Sequence, residues 1–326
     1  MSLPLLLTFA INLSAHVSHS DMAHFKELVY TSPSEAMMEY ERLVKRIDEN
    51  ESEGAIAIHR LALIAAYRAN RLEDIPKITQ AMTDAKFDEL NGEIKANALL
   101  ALGGIYIYNE QLEQTLWHYE CAKRLDPSPE NAIKLNVNTV IVYIKQKKFS
   151  EALALLDSID ESKIGSRGKG VKRMLEGNIL FFESRYAEAI KAYQRSLSFY
   201  QSEEDMTGAI KVKHNILFAA LLSSDWITYD RFYNALHGDI IENVELFGRN
   251  WIDLMHVSAQ FQRQRITQTQ FEKAFLDITA VMEADYQDEV AELIERLHLS
   301  IKPSVSNKTQ FQLPVQLGKR WCSPSN

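Results

Sequence analysis

Gly165-Ser166-Arg167-Gly168-Lys169-Gly170 is the stretch of this 326-residue chain closest in composition to a phosphate-cradling loop. Such a loop needs a G-x-x-x-x-G-K-[ST] spacing on a strand-to-helix turn, because its backbone amides must converge on the phosphates. Neither the spacing nor a strand-like run before it is present, so the stretch reads as a flexible turn between helices. The nine histidines are scattered, and no His-Glu-x-x-His pair exists to hold a metal. There is no Gly-x-Ser-x-Gly nucleophile turn and no Gly-x-Gly-x-x-Gly fingerprint. The carboxylate pairs Glu203-Glu204 and Asp285 with Asp288 fall at helix ends, where they read as solvated caps rather than an acid–base couple. Cys121 and Cys322 lie 201 positions apart, and neither starts a Cys-x-x-Cys or zinc pattern. They read as two separate thiols, one partly buried and one in a C-terminal tail, with a disulfide between them as the other, disfavoured reading. No catalytic, cofactor-binding or metal site is expected, and the chain reads as non-enzymatic.

The elements around these residues point the same way. Only 12 Gly and 8 Pro occur, so turns are few and helices long. Few stretches alternate apolar and polar residues as a half-buried strand would, and an all-α fold follows. The net charge is −8, with no basic stripe to pair with phosphates, so nucleic acid is excluded as an expected partner.

The first 20 residues carry no Asp, Glu, Lys or Arg, and their apolar run from Leu3 to Leu13 is too short to span a bilayer. It suits a secretory leader cleaved after Ala15 or Ser20, although the usual basic residue before the run is missing. An N-terminal helix packed on the rest of the chain is the other reading. No later apolar run approaches a membrane span.

Three segments repeat in register. Leu112 and Thr115, Phe149 and Ala152, and Tyr186 and Ala189 follow one another at intervals of 37 residues (149 − 112 and 186 − 149). Leu102-Gly103 with Tyr106, then Tyr119, Ala122 and Pro127, fill the pattern in the first; Gly177 and Tyr193 fill it in the third. Small residues let helices approach, tyrosines fill the space between them, and proline ends the helix. One such hairpin leaves an apolar face uncovered and needs neighbours.

In these residues the chain resembles the tetratricopeptide repeat family, whose unit is a helix–turn–helix of about 34 residues. The resemblance implies a right-handed superhelical solenoid of antiparallel helix pairs. It spans residues 21–301, with the best repeats at about 96–129, 133–166 and 170–203, degenerate units on either side, and a flexible tail at 302–326. "FKELVYTSPSEAMMEYERLV", residues 25–44, also resembles the opening of extracytoplasmic sensor regions of this kind in bacterial diguanylate cyclases and histidine kinases. No membrane span or output domain follows here.

By that resemblance, function sits on the concave face formed by the first helix of each pair. The positions carried over are Leu100 and Tyr108, then Val137, Ile141 and Ile144. Met174, Asn178 and Phe181 follow, and then His214 and Phe218. The family's carboxylate clamp is disfavoured, because Leu100, Gly104, Val137 and Ile141 stand where Lys and Asn would be needed. A largely apolar groove of this kind fits an apolar peptide or an amphipathic helix. The same residues become core if the C-terminal helices fold back onto them. The expected role is an exported, periplasmic or secreted, protein- or peptide-binding scaffold serving an envelope signalling or assembly system. A cytoplasmic peptide receptor and a homo-oligomeric scaffold are the alternatives.

Overall fold

The computed structural model describes residues 17–47, 51–69, 71–242, 249–282, 286–303, 313 and 317–322. Of the expected leader, residues 1–16 lie outside that set, as does Asp285. The described residues form sixteen α-helices and no strand, so the chain is all-α. They are α1 (His19–Thr31), α2 (Pro33–Leu43), α3 (Ser52–Arg68), α4 (Ile75–Ala81), α5 (Gly92–Tyr108), α6 (Leu112–Leu125), α7 (Pro129–Lys145) and α8 (Phe149–Asp157). Then come α9 (Ser166–Phe182), α10 (Tyr186–Ser202), α11 (Met206–Leu222), α12 (Trp226–Glu242), α13 (Arg249–Gln262), α14 (Gln268–Ala280), α15 (Gln287–Arg296) and α16 (Leu317–Cys322). Contacts group them into two units: residues 1–105, 120–126 and 311–326, and residues 106–119 and 127–310.

In the first unit, Ser18 caps α1: its hydroxyl accepts from the Asp21 amide, and Asp21 reaches back to the Ser18 amide. Pro33 opens α2 at a position where its missing N–H costs nothing. Phe25, Val29, Ile56, Ile75 and Phe87 are fully or almost fully buried beneath these helices. The cysteines depart from the expectation of separate thiols: Cys121 and Cys322 form a disulfide, with their Cα atoms 5.7 Å apart. Nor are Leu317–Cys322 a loose tail. They form α16, with Leu317 fully buried and the Trp321 indole N–H donating to Asp88 at 3.0 Å. Position near the end of the chain gave no hint of this docking, since the groups that receive it lie more than 200 residues away.

The second unit is built on one turn used repeatedly. Glu110, Lys147, Ser184, Ser224, Gln264 and His298 all have φ between 51° and 63°, in the left-handed region. At each, the residue's own amide donates three residues back and the next amide donates five residues back. Lys147 thus donates to Ile144 and Lys148 to Tyr143, while Ser184 donates to Phe181 and Arg185 to Leu180. This pair of bonds satisfies the last carbonyls of the helix and reverses the chain. The first three turns are 37 residues apart (147 − 110 and 184 − 147). The absence of glycine at all six hid them from sequence reading. Lys147→Gly is therefore expected to stabilise the protein by about 0.5–1 kcal/mol, as relief of left-handed strain exceeds the added chain entropy. A higher urea midpoint checks it.

Within a pair the helices run antiparallel. On α9 and α10, Asn178 meets Tyr193, and further from the turn the Gly170 carbonyl accepts from Ser196. The seam explains Gly177. A Cβ there would lie 2.4 Å from the Tyr193 ring, which is buried and donates from its hydroxyl to Asn178 Oδ1 at 2.9 Å. One repeat earlier, Val140 and Leu156 occupy the two register positions and share one core. Volume is thus conserved by exchanging which side is large. Gly177→Val alone is expected to cost about 1–3 kcal/mol, and adding Tyr193→Leu should recover most of that. Additive losses in a double-mutant cycle would contradict the shared seam. Gly165–Gly170 is not a turn: Gly165 caps α9, and the residues after it are its first turns.

Candidate functional site

The row expected to line a groove can be followed along the first helices of the pairs. Three positions recur relative to the left-handed turn residue. Ten before it, Leu100, Val137, Met174 and His214 are half-buried. Three before it, Ile107, Ile144, Phe181 and Leu221 are all buried. Six before it, cover increases along the chain: Gly104 is exposed, Ile141 and Asn178 are half-buried, and Phe218 is buried. Tyr108 is half-buried and Phe182 exposed. The packing residues Gly103, Tyr106, Tyr119, Ala122, Ala152, Gly177, Ala189 and Tyr193 are all buried, and Tyr186 is half-buried.

Cover for the later part of the row comes from the chain's own C-terminal helices. The Phe181 ring lies 5.1 Å from that of Phe218, which meets Trp251 of α13 edge-on at 5.0 Å. Val290 and Leu293 of α15 are fully buried in the same core as Phe181 and Phe218, and Met174 packs against it. Polar contacts fix α15 across two successive turns. Asp288 pairs with Lys145 at 3.6 Å, while Arg296 donates to the Phe182 carbonyl and the Ser184 hydroxyl and lies over the Tyr186 ring. Phe181 and Phe218 are therefore core rather than free groove, and Ile144 is buried in the neighbouring core with Val140 and Ile179. Asn178 is also engaged internally: its Oδ1 accepts from Tyr193 and, at 3.3 Å, from Asn215 one repeat later. Burial pushes the His214 imidazole down to about 4, so it is neutral at pH 7.

Asp288 thus serves in an ion pair, and Glu203 and Glu204 are exposed at the end of α10. Lys169 stands on α9 rather than in a loop. Among the described residues, no three His, Cys, Asp or Glu side chains come together as a metal site, and no helix is long and apolar enough to cross a membrane.

A second place in this unit combines shape with chemistry. Tyr229, Asp230, Tyr233 and Asn234 of α12 face His256, Ala259 and Gln260 of α13 across a cleft of about 190 Å³, which Arg263 and Arg265 close. Tyr233 stacks on His256 with ring centres 4.4 Å apart and on Tyr229 at 6.0 Å. The Arg263 guanidinium lies over Trp226 at 4.5 Å and pairs with Asp230 at 2.8 Å. Burial is the main cause holding the His256 ring below the ordinary histidine range. None of these residues stood out in the sequence. They come from two helices that only folding brings together. Comparison with protein-family models, curated proteins and solved structures gave no match.

Proposed function

We propose that this chain is a tetratricopeptide-like solenoid acting as a non-enzymatic scaffold for a protein or peptide, exported to serve a bacterial envelope signalling or assembly system. The observation that carries the reading is the turn at Glu110, Lys147 and Ser184, repeated at 37-residue spacing with identical hydrogen bonding. Stacked units of this kind present extended surfaces, and binding along them is their usual use. The Asn178–Asn215 bond, which joins equivalent helices one repeat apart, supports the same reading.

Export draws support from the disulfide. Such bonds persist in oxidising compartments and are rare where thiols are kept reduced. The cap on α1 also favours one cleavage point. Cutting after Ser20 would remove the Ser18 cap, whereas cutting after Ala15 leaves it intact, along with the Asp21 pairs to Arg42 and Arg46. With Ile144, Phe181 and Phe218 in the core, the contacts left for a partner are the half-buried Val137, Ile141 and Met174. A partner there lies beside α15, which holds the ends of α7 and α9.

The test is expression in a bacterium, fractionation, and N-terminal sequencing of the recovered chain. A start at His16 in the periplasmic fraction is expected, and an intact Met1 removes the exported half of the proposal. Affinity capture from that fraction is then compared between the native chain and Val137→Lys. A partner held by the first and lost by the second, at an unchanged urea midpoint, supports the scaffold; equal retention by both counts against it.

A further inference from the structure

α15 stands apart from the repeats it lies on. α9 and α10 pack side by side, as do α13 and α14, but α15 forms no such pair with α14. It lies instead against the inner row, with Val290 and Leu293 fully buried in one core with Phe181 and Phe218. Ile294 and Leu297 are half-buried against the same core. These four residues fall at i, i+3, i+4 and i+7, the spacing by which a helix docks its apolar face in a groove. Polar contacts fix its direction. Asp288, two residues before the first anchor, pairs with Lys145, and Arg296, one before the last, donates to the Phe182 carbonyl and the Ser184 hydroxyl.

Little within α15 itself keeps it helical. Its start at Tyr286 has no side-chain cap, and a helix of 10 residues is marginal alone in water. The internal Glu292–Arg296 pair at 2.6 Å contributes only weakly. The helix forms because the row beneath it is apolar, as a bound peptide's helix does. The Asp288–Lys145 pair adds little, since its side chains are 57 % and 35 % exposed. The repeats beneath close their turns through their own hydrogen bonds, so α15 rests on a finished surface rather than inside a seam. We infer that α15 is an intramolecular ligand of the inner row, and that a partner helix of the same pattern takes its place. That pattern is apolar at i, i+3, i+4 and i+7, with an acid two residues before the first anchor and an arginine one before the last. α15 thus keeps the seat closed until such a helix arrives. The inference rests on the scaffold reading, but it concerns the seat of α15 rather than the neighbouring Val137 face.

The probe is a fluorescein-labelled synthetic peptide of residues 286–299, titrated with the full chain and followed by anisotropy. In the native chain, α15 competes from an effective concentration on the order of millimolar, so binding in trans is weak. Val290→Asp in the chain should release α15 while the unit still unfolds cooperatively, and should tighten peptide binding at least about tenfold. Arg296→Ala, a milder change that frees one end of α15, should tighten it several-fold. Adding Lys145→Glu to the Val290→Asp chain should weaken binding of the native peptide, and a peptide carrying Asp288→Lys should recover it. A peptide carrying Val290→Asp should not bind. Loss of cooperative unfolding in the Val290→Asp chain overturns the inference, because α15 is then a fixed part of the core. Equal affinity for the native, Val290→Asp and Arg296→Ala chains overturns it too, as does a charge exchange without effect or equal binding of the Val290→Asp peptide. Capture of a partner through Val137 is a separate measurement, so either reading can fail while the other stands.

Discussion

Phe181→Asp is expected to abolish cooperative folding of the unit comprising residues 106–119 and 127–310. The side chain is 6 % exposed and lies within 5.6 Å, centre to centre, of the Phe182, Tyr186 and Phe218 rings. Arg296, which lies over the Tyr186 ring, is already paired with Glu292 at 2.6 Å, so the carboxylate would be buried without a free cation. That costs several kcal/mol, against a typical domain margin of about 5–15 kcal/mol. Phe181→Leu, which keeps the apolar contact, should cost only about 1–1.5 kcal/mol. Urea unfolding followed by circular dichroism separates the two variants. A native-like midpoint for Phe181→Asp would mean that the inner row is open at this position and that α13 and α15 do not close it.

Breaking the Cys121–Cys322 bond is the second large effect. Cys322→Ser, or reduction by a dithiol, should lower the stability of the unit containing both residues by about 2–4 kcal/mol. The crosslink joins positions 201 apart and so removes much of the freedom of the unfolded chain. The native contacts around α16 reinforce it, since Arg320 pairs with Asp88 at 2.6 Å and Lys95 stands over the Trp321 ring. Fluorescence of Trp321 should therefore shift toward that of a solvated indole when the bond is cut. Equal urea midpoints with and without the dithiol would contradict this, as would two free thiols found by alkylation of the unreduced chain.

Gly177 and Phe181 show how far the sequence can be read, and where that reading stops. The glycine was recognisable because its role is local: a tyrosine sixteen residues on must cross the same seam, and the 37-residue register repeats the arrangement with Val140 and Leu156. The helix start at Pro33 was similarly legible, since proline at the first turn acts through its own backbone, whereas Pro129 sits in a stretch that reads as a turn and instead opens α7. The turns at Lys147 and Ser184 were located by register, but their left-handed geometry was not, because no glycine marks it.

For Phe181, apolarity at the inner position said only that the ring must be covered. A bound peptide and the chain's own α13 and α15 answer that demand equally well, and the difference lies in contacts between separate helix pairs. The cysteines posed the same problem: their spacing fits neither a metal motif nor a short loop, and α16 had to dock before the two sulfurs could meet. The buried polar atoms of Tyr229, His256 and Arg263 carry no local pattern at all. The sequence by itself determined an all-α chain, the repeat register and the small-against-large seams, because these rest on neighbours along one helix or one hairpin. The tertiary structure decided what covers the inner row, which thiols pair and which polar atoms are buried without a partner, because each depends on segments whose proximity arises from packing alone.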